Sequence, residues 1–369
     1  MKKILNYSLG LLIILVSACS KKSDPLPKGI DAVFVGSSDN KLYAVNAKTG
    51  TKMWDFEAKG AVHSSPALGV GLVIVGSSDE KVYALDIKTG AKVWEFDAGM
   101  GISSAPLVQD ATVFVGMGSA SNFRSKLYAL DIVSGTKKWE FSVDGISISS
   151  PTLANGKIYV GGFTNVYALD AKTGTQKWEF KTGSGVDSSP SVADGVVYVG
   201  SNDYNVYALD AETGTQKWKF ATSGEVSSSP TVSEGVVFIG SFDRKLYALN
   251  AQTGAKQWEY RADGPIFSSP VVANGVVYTG SIDSRTYALD VKTGAKKWES
   301  VSANRIQSSP AVTDSTVYIG GIDDRLYALD SRTGAKKWEF RTGGSIYSSP
   351  AVLTSAAKVY YSGVSGIQQ

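Results

Sequence analysis

One cysteine, Cys19, and one histidine, His63, are all that 369 residues offer of either type. A single thiol forms no intramolecular disulfide, and a single imidazole supplies neither a multi-histidine metal site nor a two-histidine mechanism. No Gly-x-Ser-x-Gly nucleophile elbow occurs, so a hydrolase triad has no motif to rest on. An excess of charge of one sign is missing too. The formal net is +3, but Lys2, Lys3, Lys21, Lys22 and Lys28 precede Gly29 with only Asp24 against them, so the 37 basic and 34 acidic residues leave 32 against 33 from Gly29 onward. Nucleic-acid binding draws on a basic stripe that neutralises phosphates, and this chain concentrates none. Long apolar runs are absent as well: the stretch from about residue 4 to residue 16 is too short to cross a bilayer as a helix.

That stretch reads as a targeting segment. Lys2 and Lys3 form its basic head, and Val16-Ser17-Ala18-Cys19 resembles the lipobox of bacterial lipoproteins, in which the cysteine is acylated and becomes the mature N-terminus. The expectation is a signal peptide over residues 1–18, lipidation at Cys19, and a polar tether over residues 19–30, which include Pro25 and Pro27. Each buried methylene of an acyl chain contributes about 0.8 kcal/mol, so more than one chain anchors durably. Ser20 in place of Asp after the cysteine favours the outer membrane under the sorting rule of enteric bacteria. An ordinary secretory signal with a stray thiol is the alternative.

What the chain has in abundance is repetition. The sentence Ala-x-Asp-x-x-Thr-Gly-x-x-x-Trp starts at Ala44, Ala84, Ala129, Ala168, Ala208, Ala248, Ala288 and Ala328. It ends on Trp54, Trp94, Trp139, Trp178, Trp218, Trp258, Trp298 and Trp338, which are all the tryptophans present. Their spacing is 40 residues, apart from one of 45 and one of 39. A period near 40 with several short strands per unit marks a propeller, because a blade buries both faces only when neighbours stack on it. The fold class is therefore all-β: an eight-bladed β-propeller of four-stranded antiparallel blades over residues 31–369.

One unit shows how a blade is written. Residues 188–192, 196–200, 206–210 and 216–220 read as strands separated by Gly-containing turns. The Asp of the repeated sentence accepts hydrogen bonds from the turn that follows, and its Gly supplies a positive φ. Asn46 and Asn250 replace that Asp, so an acceptor suffices, which argues against a ring of metal-binding carboxylates. The tryptophans are assigned to packing between blades, each burying about 150–250 Å²; a platform for stacking a cofactor is the alternative. The last strand, as in Lys337-Trp338-Glu339-Phe340, alternates charge as an exposed outer edge does. At the ends, residues 31–36 match a second strand and residues 348–352 supply the missing first one, closing the ring. Residues 358–362 copy the second strand once more and have no place in the scheme.

The repeats are similar to the quinoprotein-type (PQQ-like) repeats that carry a tryptophan-docking motif, over about residues 31–362. The resemblance implies eight blades and two functional branches. Quinoprotein dehydrogenases hold pyrroloquinoline quinone and calcium over the channel and use long insertions and a disulfide between adjacent cysteines, whereas this chain has no cysteine within its repeats. The other branch is a lipoprotein scaffold of the outer-membrane β-barrel assembly machinery, which matches the length and the lipobox. The resemblance thus implies a monomeric, non-catalytic envelope scaffold with no cofactor or metal, binding a protein partner. A polysaccharide- or ligand-binding surface lipoprotein and a quinone-dependent dehydrogenase are the alternatives.

Eight copies in one chain also reveal what the blades do not share. The residue before each Ser-Ser-Pro or its equivalent varies: His63, Ser103, Ile148, Asp187, Ser227, Phe267, Gln307 and Tyr347. It lies where the chain leaves an outer strand for the next inner one, so these side chains should ring one mouth of the channel. Residues 117–126, MGSASNFRSK, lengthen a loop on the same face by about five residues and carry Phe123 and Arg124, types that dominate interface hot spots. The candidate partner-binding residues are Phe123, Arg124, His63, Asp187, Phe267, Gln307 and Tyr347. Asp39, Asp79, Asp203, Asp243, Asp283 and Asp323 read as hairpin-turn residues, with calcium ligation as the alternative.

Overall fold

Short apolar runs punctuated by glycine turns build, in the computed structural model, a ring of eight sheets. The structure describes residues 26–119, 124–145 and 148–361, and Cys19 and Phe123 lie outside them. All regular elements among the described residues are strands. Seven sheets have four antiparallel strands and one has five. We number the blades along the chain, blade 1 holding Ala32–Gly36, Lys41–Asn46 and Lys52–Glu57, and blade 8 ending with Lys336–Arg341.

Blade 5 consists of Ser191–Ala193, Val196–Gly200, Asn205–Asp210 and Gln216–Ala221, from the channel outward. The innermost strand begins three residues later than the sequence predicts. Pro190 has no N–H to give a ladder, and the two serines before it are otherwise engaged. Ser188 Oγ accepts from Gly200 N at 3.0 Å, while Ser189 N donates to Ser229 Oγ of the next blade at 3.0 Å. Second and third strands are largely buried, and the fourth is exposed except at Trp218, which is buried, and Phe220, which is half-buried.

The core lies in the seams between blades. Trp218, for example, packs with Tyr198 of its own blade and with Val237, Tyr247 and Leu249 of the next. Its indole N–H donates to Ala251 O at 2.9 Å, and its ring lies over Gly254, where a Cβ would come within 2.8 Å of Cδ2. All eight tryptophans dock this way, Trp338 reaching Ala47 O and Gly50 across the closure. The turn glycine is thus required twice, for its φ of +74° and for the close approach of the ring. The turn itself is the expected Asx-turn: Asp210 Oδ1 accepts from Glu212 N and Thr213 N, each at 3.0 Å, and Asn46 Oδ1 does the same for Lys48 N and Thr49 N.

Both ends of the chain complete blade 1. Ala351–Leu353 pairs with Ala32–Gly36 in the register Ala32↔Leu353, the closure expected from the repeats. Val359–Tyr360, within the ninth copy of the second strand, pairs with the channel-facing edge of Ala351–Leu353 and makes this blade five-stranded. Tyr361 Oη then accepts from Leu68 N at 2.7 Å and donates to Leu68 O at 3.0 Å, on the inner strand of blade 2. Asp31 fixes the hairpin between these strands by accepting from Ser355 N at 2.7 Å.

The insertion in blade 3 departs from the expected loop. Thr112–Ser119 and Arg124–Asp131 continue as paired strands, Arg124 opposite Ser119, and Lys137–Asp144 lengthens with them, Arg124 opposite Asp144. The extra residues therefore raise a three-stranded tongue above one face of the ring, because they extend the ladder without breaking its alternation. Met117 is buried beneath it with Met100 and Ile102.

Candidate functional site

The turns between second and third strands and the crossings between blades share one face, here the mouth face, with the tongue. The remaining turns share the opposite one. On the mouth face His63 Nε2 lies 3.0 Å from Ser38 Oγ, and its ring meets that of Tyr347 edge-on with centroids 5.2 Å apart. Burial lowers the His63 pKa, which keeps the imidazole neutral at neutral pH. Asp187 accepts from Asn202 Nδ2 at 2.8 Å, and Asn202 Oδ1 accepts from Ser227 Oγ at 3.0 Å. Phe267 packs edge-on against Phe242 at 4.0 Å, and Gln307 is half-buried. Ile148 differs from the other variable residues: it is buried and bridges to Gly162. The structure thus brings His63 to Tyr347 and Asp187 to Ser227, while Phe267 is occupied by its own blade's turn.

Two sets of polar ties on this face were hidden in the repeats. The second serine of Ser-Ser-Pro forms a belt in which each amide donates to the next blade's hydroxyl, from Ala105 N to Ser150 Oγ at 2.9 Å round to Ser349 N on Ser65 Oγ at 2.9 Å. The belt has one break, because Ala105 offers Ser65 no hydroxyl. The repeated Ser-Ser-Pro was the signal, but sequence alone assigned it to a strand.

The short-loop aspartates do more than shape hairpins. Asp203 Oδ2 accepts from Tyr207 Oη at 2.7 Å and from Gly183 N at 2.7 Å, where Gly183 belongs to the exit of blade 4, while Oδ1 accepts from Asn205 N at 3.1 Å. Each aspartate therefore ties its blade to the preceding one, and Asp39 does so to Gly343 across the closure. Asp39, Asp79, Asp243, Asp283 and Asp323 make the same pairing with their tyrosines. Among the described residues no group of three His, Cys, Asp or Glu side chains is placed to hold a metal ion.

Blades 3 and 4 have no aspartate at that position. Blade 3 raises the tongue there, and blade 4 has the shortened turn Gly162-Phe163-Thr164, with Phe163 at φ +37° and 47% exposed. Phe163 packs closely on Gly145 of the tongue's third-strand end, where a Cβ would fall 2.4 Å from its own. Arg124 is exposed at the tongue, and Tyr204, 49% exposed, follows on blade 5. The missing ties, the break in the serine belt at Ala105, the tongue and the exposed Phe163 thus fall in one sector. A groove of about 450 Å³ lies on the other face beside Asp31, Trp338 and Tyr360, away from these residues.

Comparison with known proteins bears on this arrangement. Among solved structures, BamB from Moraxella catarrhalis superposes with a TM-score of 0.67 at 21% identity, over 85% of this chain and 95% of that one. Quinohemoprotein alcohol dehydrogenase from Comamonas testosteroni gives 0.68 at 16% identity, over 94% and 75%. The computationally designed protein Ika8 gives 0.68 at 16% identity, over 91% and 98%. At these identities the likeness establishes the fold alone. No curated protein matches the chain. The family model described as Outer membrane protein assembly factor BamB matches residues 20–150, 124–229, 220–344 and 301–364. With all eight repeats inside those matches, the chain belongs to the family of outer membrane protein assembly factor BamB.

Proposed function

We propose that this protein is a lipid-anchored, non-catalytic scaffold of the outer membrane that docks a protein partner of the β-barrel assembly machinery on its mouth face, through the sector of blades 3 and 4. The observation that carries this reading is the concentration of departures there: a fold that repeats its ties in six blades omits them in two adjacent ones and presents the tongue and Phe163 instead. Family membership supports the partner class. In this reading residues 1–18 are removed, Cys19 carries the lipid and residues 19–30 are the tether. The described end of that tether supports the orientation. Leu26 and Ile30 pack against the same buried cluster as Val359 and Tyr361, and Gly29 N donates to Ser355 O at 2.9 Å, on the side opposite the mouth face. Seven residues from Cys19 to Leu26 reach at most about 25 Å, so the mouth face turns away from the membrane.

The test is purification of the acylated protein from its native membrane in mild detergent, with identification of what accompanies it. Barrel-assembly subunits should be recovered, and should be lost from a Cys19→Ala form. Arg124→Glu combined with Phe123→Ala should weaken the complex while the melting temperature holds. An intact lipoprotein recovered without those subunits, but retained by cell-surface polysaccharide, would overturn the scaffold reading.

A further inference from the structure

In seven of the eight seams the fourth strand of one blade sends an aromatic ring against the tyrosine of the next. Phe220 meets Tyr247, Tyr260 meets Tyr287, and Phe340 meets Tyr43 across the closure; ring centroids in the seven seams are 5.0–5.5 Å apart. Between blades 7 and 8 the ring is missing. Ser300 stands in its place, and Tyr327 has no ring partner among the described residues. Thr286, directly opposite Ser300 in the sheet, replaces the leucine that Leu246 and Leu326 provide in the blades on either side. These changes leave a groove of about 290 Å³ bounded by Thr286, Ser300, Tyr327 and Leu329, opening on the rim beside Arg325 and Glu339. Val301 flanks it at 70% exposure, whereas the same position carries Arg261 in blade 6 and Arg341 in blade 8.

We infer that this groove takes an aromatic side chain, phenylalanine or tyrosine, from a partner polypeptide. The seven filled seams are its mould: each shows the same backbone and the same tyrosine accepting one ring, edge-on in five seams and tilted in the other two, and aromatic pairs of this kind contribute beyond the area they bury. Tyr260 occupies the mould one blade earlier, so a phenol fits as well as a phenyl. The floor is suited to a site that is filled and emptied. Thr286 and Ser300 present hydroxyls that bind water when no ring is there, where two aliphatic side chains would leave a dry void. Val301 adds an exposed apolar contact for the residue beside the inserted ring. The groove lies on the rim of blades 7 and 8, well away from blades 3 and 4, so it is a second contact surface that stands or falls independently of the docking sector.

Two acetylated, amidated pentapeptides of sequence Lys-Thr-Tyr-Thr-Lys and Lys-Thr-Leu-Thr-Lys, titrated into the full chain and followed by ligand-observed NMR, test the assignment. The tyrosine peptide should bind saturably and at least about tenfold more tightly than the leucine peptide. Ser300→Phe fills the groove from within; it should leave the melting temperature unchanged or raised and weaken the tyrosine peptide by at least about tenfold. Ser300→Leu fills the same space with an aliphatic side chain and should weaken it in the same direction, keeping the test open if the first variant folds poorly. Equal affinity for the tyrosine peptide in wild type and both variants, or no saturable binding up to about 20 mM, overturns the assignment.

Discussion

Replacing Gly254 by alanine measures how firmly a docked tryptophan holds two blades together. Gly254 sits at φ +74°, and a Cβ there would lie 2.8 Å from Cδ2 and Cε3 of Trp218. Gly195 has nearly the same φ, +72°, with nothing within 4 Å of its Cβ. The strain of a left-handed alanine, about 1–2 kcal/mol, is therefore common to both substitutions. Gly254→Ala must in addition displace the indole, at about 1–3 kcal/mol for overpacking. It also loosens the bond from Trp218 to Ala251 O, for about 1 kcal/mol more. The expected losses are about 1–2 kcal/mol for Gly195→Ala and about 3–6 kcal/mol for Gly254→Ala. Urea unfolding followed by fluorescence and far-UV circular dichroism reads the difference as a shift in midpoint, provided the slopes agree. Equal midpoints for the two variants would show that the ring steps aside freely, and the docking argument would fail.

The belt and the ties offer further checks. Ala105→Ser supplies the hydroxyl that Ser65 N lacks and should stabilise the ring by about 0.5–1.5 kcal/mol, read as a raised melting temperature; a lower one would mean that the belt does not extend to that seam. Asp243→Ala removes the acceptor for Tyr247, Ser223 N and Lys245 N together and should cost about 2–4 kcal/mol. Tyr361→Phe strips both bonds to Leu68 and should lower the melting temperature, whereas an unchanged value would make the C-terminal strand ornamental. Burial, and after it the bond to aspartate, raises the hydroxyl pKa of Tyr43, Tyr83, Tyr207, Tyr247, Tyr287 and Tyr327 above the ordinary 10.0. The folded state then keeps protons that the unfolded chain releases, so this stability is complete below pH 10 and declines as pH rises past it. Tyrosinate absorbance from these six should appear only together with loss of the circular-dichroism signal.

Periodicity made the blades legible because each repeated residue answers a local demand: Asp210 for its turn, Gly214 for a positive φ, Trp218 for a seam. The closing of blade 1 was legible for the same reason, as a missing strand and a spare one. Contacts reaching between blades were not. Asp203 looks like any turn aspartate until Gly183 of the preceding blade is seen donating to it, and Ser189 looks like the start of a strand until its amide is found on Ser229. The insertion at residues 117–126 was visible as extra length, but length alone does not distinguish a loop from a ladder that continues through Met117 and Lys126. The groove at Ser300 was written in the sequence as one interrupted copy of Lys-x-Trp-Glu-Phe, and only the seven filled seams give that interruption a shape.

The contact between the two ends of the chain also answers a problem of counting. Units this alike recognise any neighbour, so a newly made chain has no local means of telling its eighth unit from its seventh, or its own unit from another molecule's. Seven units arrive with an inner strand already attached by a short turn, and only the first lacks one. Asp31, where the other units have a small turn residue, marks that vacancy, and the segment that fills it follows all eight units along the chain. Assembly therefore stays provisional until Ala351–Leu353 has been made, and that segment is what converts a stack of interchangeable parts into a ring of fixed number.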